Sequence, residues 1–97
     1  SESTTIQCLT YDLWYPYFYV GTSDGNFYTF HCATFLQLHK ISQLYEKSTF
    51  LNKSSANLLN KKVGLIDIQV SQHYILTCGS SNGSGSLKLL IKKKCSG

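Results

Sequence analysis

The stretch IQCLTYDLWYPYFYVGTSDGNFYTFH, residues Ile6 to His31, decides how this chain is read. From Ile6 to Tyr11 the apolar residues recur with the period of a strand, with a one-residue shift between Cys8 and Leu9. Asp12 to Pro16 breaks the pattern, and the single proline sits there, between strands. Tyr17 to Thr22 is aromatic and β-branched and runs into Ser23-Asp24-Gly25-Asn26, whose Asp-Gly pair is a strong hairpin signal. Phe27 to Cys32 then alternates again. Three consecutive antiparallel strands are predicted. Alternation places Phe18 and Val20 on one face of the second strand and Tyr17 and Tyr19 on the other, and we expect Phe18 and Val20 to point inward.

Beyond this stretch, Thr34 to Ile41 supplies a fourth run with Phe35, Leu36, Leu38 and Ile41. Ser42 to Lys62 is rich in Ser, Thr and Asn with isolated apolar residues, and reads as a long connection carrying one short helix. Strand character returns over Val63 to Val70, Tyr74 to Cys78 and Ser86 to Lys92, with a glycine-rich turn from Gly79 to Gly85. The organisation is therefore 1–41, a first sheet; 42–62, a connection; and 63–97, a second, shorter sheet. The order is an internal repeat: Ile6, Leu9, Tyr11 and Phe18 are matched 57 positions later by Val63, Ile66, Ile68 and Ile75.

Ile6 to His31 resembles a WD-repeat β-propeller blade, in which each repeat supplies four antiparallel strands. Val20-Gly21-Thr22-Ser23-Asp24-Gly25 stands where that family writes an apolar residue, small residues and Asp-Gly, and Phe30-His31 stands in place of its Trp-Asp pair. The family's Gly-His is absent before both Ile6 and Val63, so of its hydrogen-bond network only Thr22 and Asp24 are candidates to survive. The second copy has neither the tryptophan nor the turn aspartate. The resemblance covers about 60 of the 97 residues. It implies an all-β fold of four-stranded antiparallel blades, a partial propeller or a segment of a larger one, because two blades are too few to close a ring. It also implies a non-enzymatic scaffold contacting other protein subunits, among them the rest of its own propeller, in the cytoplasm or nucleus. An RNA-associated role through a ribonucleoprotein is a further reading.

Composition bounds these readings. With 97 residues, 42% hydrophobic and 14% charged, the chain is one small globular domain at most. Methionine is absent, so a processed product or a piece of a longer protein is expected. No apolar run approaches the roughly 18 residues of a bilayer span, and SESTTIQCLT lacks the basic-then-apolar order of a secretion signal, so no membrane association is expected. All nine cations are lysines, and the lack of arginine argues against sequence-specific DNA reading. Lys92-Lys93-Lys94 reads as a solvated chain end.

No catalytic group, metal site or cofactor is predicted. His31, His39 and His73 are far apart, His31 beside Cys32 lacks a third partner, and Gly79 to Gly85 lacks the Gly-Lys-Ser/Thr ending of a phosphate loop. Asp24, Gly25 and Thr22 are assigned to turn structure. Trp14 and Tyr15, in the turn of an aromatic cluster, are the candidate protein contacts, because exposed Trp and Tyr are favoured interface anchors. The alternative for Trp14 is a cap on its own sheet's core.

A small secreted or surface β-sandwich with two disulfides, acting as a recognition module, is the competing architecture. Cys8, Cys32 and Cys78 each fall in strand-like runs, where a free thiol packs as a small hydrophobe, and Cys95 completes the four. An immunoglobulin pattern fits poorly, since Trp14 follows Cys8 too closely and Tyr74 lies four residues before Cys78, where a tyrosine corner needs two. Thiol titration of the denatured, unreduced protein separates the two architectures: four reactive thiols are expected for the propeller segment, and none for the sandwich.

Overall fold

The Asp24-Gly25 turn closes as its residues dictate. Gly25 takes φ 89°, a region other residues resist, and its N–H donates to the Thr22 carbonyl at 3.1 Å. Around such turns the computed structural model, which describes residues 4–42, 44, 63–81 and 87–94, forms an all-β chain. The strands are β1 (Ile6–Tyr11), β2 (Tyr17–Thr22), β3 (Phe27–His31), β4 (Gln37–Ile41), β5 (Val63–Val70), β6 (Tyr74–Ser81) and β7 (Leu87–Lys93). They make two antiparallel sheets in sequential order, β1-β2-β3-β4 and β5-β6-β7.

Four strand ends differ from expectation, among them β3, which stops at His31 before Cys32, and β7, which runs one residue further to Lys93. Gly79, Ser80 and Ser81 belong to β6 and not to a turn, because the eight-residue β5 continues the ladder with Leu65↔Gly79, Gly64↔Ser80 and Val63↔Ser81. Thr34 to Leu36 form a turn before β4, in which Phe35 takes a positive φ of 61° and donates its N–H to the His31 carbonyl. Of the short helix expected in 42–62, only Leu44 falls among the described residues, and it is helical. Within that connection Leu44 is buried, and its N–H donates to the Gly25 carbonyl at 2.9 Å.

The core lies between the sheets. Tyr19, Phe27 and Leu44 meet Leu65, Ile68 and Ile75, flanked by Cys8, Tyr17, Ile41, Val63, Val70 and Leu90. The inward face of β2 is therefore Tyr17-Tyr19-Gly21, which corrects the expectation that Phe18 and Val20 point to the core. The physical reason is Gly21. A Cβ there would lie 2.6 Å from Cys8 Sγ and 2.7 Å from Leu65 Cβ, so β5 can approach β1 and β2 only on the face where Gly21 has no side chain. Phe18 instead joins an outer aromatic cluster, stacked on Phe30 at 5.2 Å and meeting Tyr11 and Phe35 at 6.0 and 5.8 Å. Val20 is buried all the same, on this outer face, between Leu9 and Tyr28 in the ladder.

The repeat reveals how the sheets meet. Phe18 on β2 corresponds to Ile75 on β6, and Tyr19 to Leu76, at the same 57-residue offset. Tyr19 and Ile75 both lie in the inter-sheet core, whereas Phe18 and Leu76 lie outside it. The sheets thus pack front to back: the face of the first that meets the second is equivalent to the face of the second that points away.

Substitution at either glycine tests this geometry by thermal melting. Gly21→Ala is expected to destabilise by about 1–3 kcal/mol through overpacking between the sheets, and an unchanged melt would contradict the close approach. Gly25→Val forces a β-branched residue to φ 89° and is expected to cost about 1–3 kcal/mol. An unchanged melt there would place the hairpin elsewhere.

Candidate functional site

The β1–β2 turn, Asp12 to Pro16, is organised by one carboxylate. Asp12 Oδ1 accepts the backbone N–H groups of Trp14 at 2.8 Å and Tyr15 at 3.1 Å. An aspartate directly after a strand captures the next turn's amides in this way. Its Oδ2 accepts the Tyr19 hydroxyl at 2.6 Å, reaching into the core, and pairs with the Lys94 ammonium at 2.7 Å. Lys94 follows β7 and its N–H donates to the His73 carbonyl, so the pair ties the far end of the second sheet to the first turn of the first.

The ammonium is enclosed. The Lys94 side chain is 6% exposed and the Asp12 side chain fully buried, and Nζ lies 5.0 Å from the Trp14 ring centroid and 5.2 Å from that of Tyr15. Both distances fall within cation–π range. Tyr15 in turn stacks on Tyr17 at 6.0 Å with an interplanar angle of 14°, which connects the corner to the core. Lys94 is consequently not part of a solvated chain end: a carboxylate and two ring faces hold it inside.

Burial by itself raises the Asp12 carboxyl. The Lys94 ammonium and hydrogen bonds from Tyr19 and the amides of Trp14 and Tyr15 outweigh this and hold it below the ordinary carboxylate range. Burial, reinforced by the bond to Asp12, pushes the Tyr19 hydroxyl far above the ordinary phenol range. Burial likewise pushes the Cys8 thiol up, so at neutral pH it is a protonated, weakly nucleophilic group.

Of the residues singled out from sequence, Trp14 and Tyr15 come together in this corner, 47% and 37% exposed. Trp14 neither caps the core nor projects free, because it lies against the Lys94 cation. Thr22, Asp24 and Gly25 come together in the hairpin turn, where Asp24 accepts the Thr22 and Thr4 hydroxyls and Thr22 Oγ1 accepts the Asn26 N–H at 3.1 Å. The histidines do not converge. His31 ends β3 with Nδ1 accepting the Ala33 N–H, His39 lies on β4, and His73 lies in the β5–β6 turn of the other sheet. Among the described residues no group of three or more His, Cys, Asp or Glu could hold a metal ion. Cys8 and Cys78 are half-buried free thiols, and Cys32 is exposed, contrary to its strand-core assignment, because β3 ends at His31. Sequence reasoning missed Asp12 and Lys94. Asp12 beside Trp-Tyr carried a local turn signal, whereas its pairing with a lysine 82 positions away had none.

In comparison with known proteins, the chain matches no family model, no curated protein and no solved structure. Among the described residues no helix is long and apolar enough to cross a membrane.

Asp12→Asn removes the charged acceptor of the Tyr19 hydroxyl and the counter-charge of Lys94, whose side chain can turn out to solvent, so the unfolding free energy is expected to fall by about 1–3 kcal/mol. Asp12→Asn combined with Lys94→Met is expected to recover part of that loss. Because the folded carboxyl titrates below its unfolded value of about 3.9, its contribution is present above that pH and is lost as pH falls through the folded value. Denaturant titration between pH 7 and pH 2 is expected to show a steeper acid loss in wild type than in the double variant. Parallel curves would contradict the pairing.

Proposed function

We propose that the chain is a non-enzymatic, WD-repeat-like segment of a β-propeller that binds protein partners, and that further β-sheets cover both of its outer faces. The observation that carries this reading is the front-to-back packing. Two sheets that bury equivalent faces against each other satisfy one another and stop. Two that bury inequivalent faces leave one face of each kind open, and such packing continues into a ring or a stack. Both open faces carry large apolar side chains: Tyr11, Phe18, Phe30 and Phe35 on the first sheet, and Ile66, Leu76, Leu89 and Ile91 on the second, with Leu89 70% exposed and the hydrogen-bonded Asp67 and Gln69 beside them. The sequential four-strand meander β1-β2-β3-β4 has the order of a propeller blade. Cys8, Cys32 and Cys78, all free, weigh against the two-disulfide sandwich.

In isolation such a chain buries its open faces in other copies. Sedimentation velocity is expected to show concentration-dependent association of the wild type, and a monomer for Leu89→Glu/Ile91→Glu with an unchanged melting temperature. A monomeric wild type at high concentration, or a double variant that unfolds, would overturn the reading.

A further inference from the structure

The corner at the β1–β2 turn has the composition of a cation receptor. A carboxylate and two aromatic faces surround an ammonium, and the ammonium in place is the molecule's own. We propose that Asp12, Trp14 and Tyr15 form a binding site for an alkylammonium group, that Lys94 fills it in cis, and that its preferred external ligand is the dimethylated side chain of a lysine on a partner protein.

Three features carry this. The first is the imbalance at Nζ. An ammonium has three N–H donors, yet Nζ is out of reach of solvent and meets Asp12 Oδ2 as an ion pair at 2.7 Å without hydrogen-bond geometry. Its other near neighbours are the ring faces of Trp14 and Tyr15, which attract the charge but accept hydrogen bonds poorly. Two methyl groups on the nitrogen remove unmatched donors, keep the positive charge and add apolar contact with the rings. A third methyl would leave no N–H to offer the Asp12 carboxylate. The corner therefore selects the dimethyl form over both the unmodified and the trimethyl form.

The second feature is that the receptor is built without Lys94. Asp12 is fixed by two backbone amides and the Tyr19 hydroxyl, and Tyr15 by its stack on Tyr17, so the carboxylate and the Tyr15 ring keep their places when the lysine leaves, and the Trp14 backbone stays held by Asp12. The third is access. Trp14 and Tyr15 stand about half open to solvent at a turn, and Lys94 vacates the corner by turning its side chain while its backbone remains held by His73. Lys94 is thus a competitor that sets a threshold for external ligands. This inference goes beyond the propeller reading and is independent of what covers the sheet faces.

Trp14 is the only tryptophan, so its fluorescence reports on the corner alone. The full chain and its Lys94→Ala variant are titrated with Nα-acetyl-lysine methylamide carrying an unmodified, dimethylated or trimethylated ε-nitrogen. For Lys94→Ala the dimethyl probe is expected to bind saturably, about tenfold more tightly than either other probe and about tenfold more tightly than to wild type. Adding Asp12→Asn or Tyr15→Leu to that variant is expected to abolish the response. A folded Lys94→Ala chain that shows no saturable change, or no preference for the dimethyl probe, overturns the proposal. Should Lys94→Ala not fold, wild type is titrated with dimethylammonium chloride against sodium chloride at equal ionic strength. A saturable change confined to dimethylammonium supports the site, and identical curves overturn it. The readout is separate from sedimentation of the outer-face variants, so failure of one leaves the other standing.

Discussion

The two sheets meet where β2 has no side chain. Gly21 opposes Leu65 at a distance that a single added carbon would close, and the inward face of β2 follows from that contact. Tyr19, on the same face, then reaches the core with its ring and Asp12 with its hydroxyl. Asp12 in turn sets the amides of Trp14 and Tyr15 and receives Lys94 from the second sheet. A steric constraint in the middle of the interface and a charge pair at its rim thus fix the same arrangement, the first by exclusion and the second by attraction. Thr10, whose hydroxyl donates to the Ile68 carbonyl at 2.8 Å, adds a directional bond between β1 and β5.

The charge pair has a structural cost that the rings reduce. Two ions taken from water regain little unless their remaining valences are met. The carboxylate is fully served, by two amides, a hydroxyl and an ammonium. The ammonium is served by one oxygen and two quadrupoles. This asymmetry separates a structural pair from a receptor, because the half that is complete stays put and the half that is incomplete can be improved upon.

Much of the strand order was legible because strands alternate and turns have their own chemistry. Ile6 to Tyr11, Tyr17 to Thr22 and Val63 to Val70 are strands with the expected limits, and Asp24-Gly25 is the expected hairpin turn. The facing of β2 was not legible, since Tyr17-Phe18-Tyr19-Val20 is apolar on both sides and alternation cannot rank two equal faces. The decisive residue was Gly21, whose absent side chain carries no hydrophobic signal. Half of the site was legible. Trp14 and Tyr15 stood out as aromatic turn residues, while Lys94 looked like its two solvated neighbours, because only the tertiary fold brings it to Asp12.

Inequivalent faces of the two repeated sheets are buried against each other. Methyl-to-ring nuclear Overhauser effects on isotopically labelled protein test it most directly. The front-to-back arrangement predicts contacts of the Ile68 and Ile75 methyls with the Tyr19 and Phe27 rings, and none between Leu76 and Phe18 within one chain. Contacts of Ile75 with Phe18, or of Leu76 with Tyr19, would mean that equivalent faces are paired, and would contradict it.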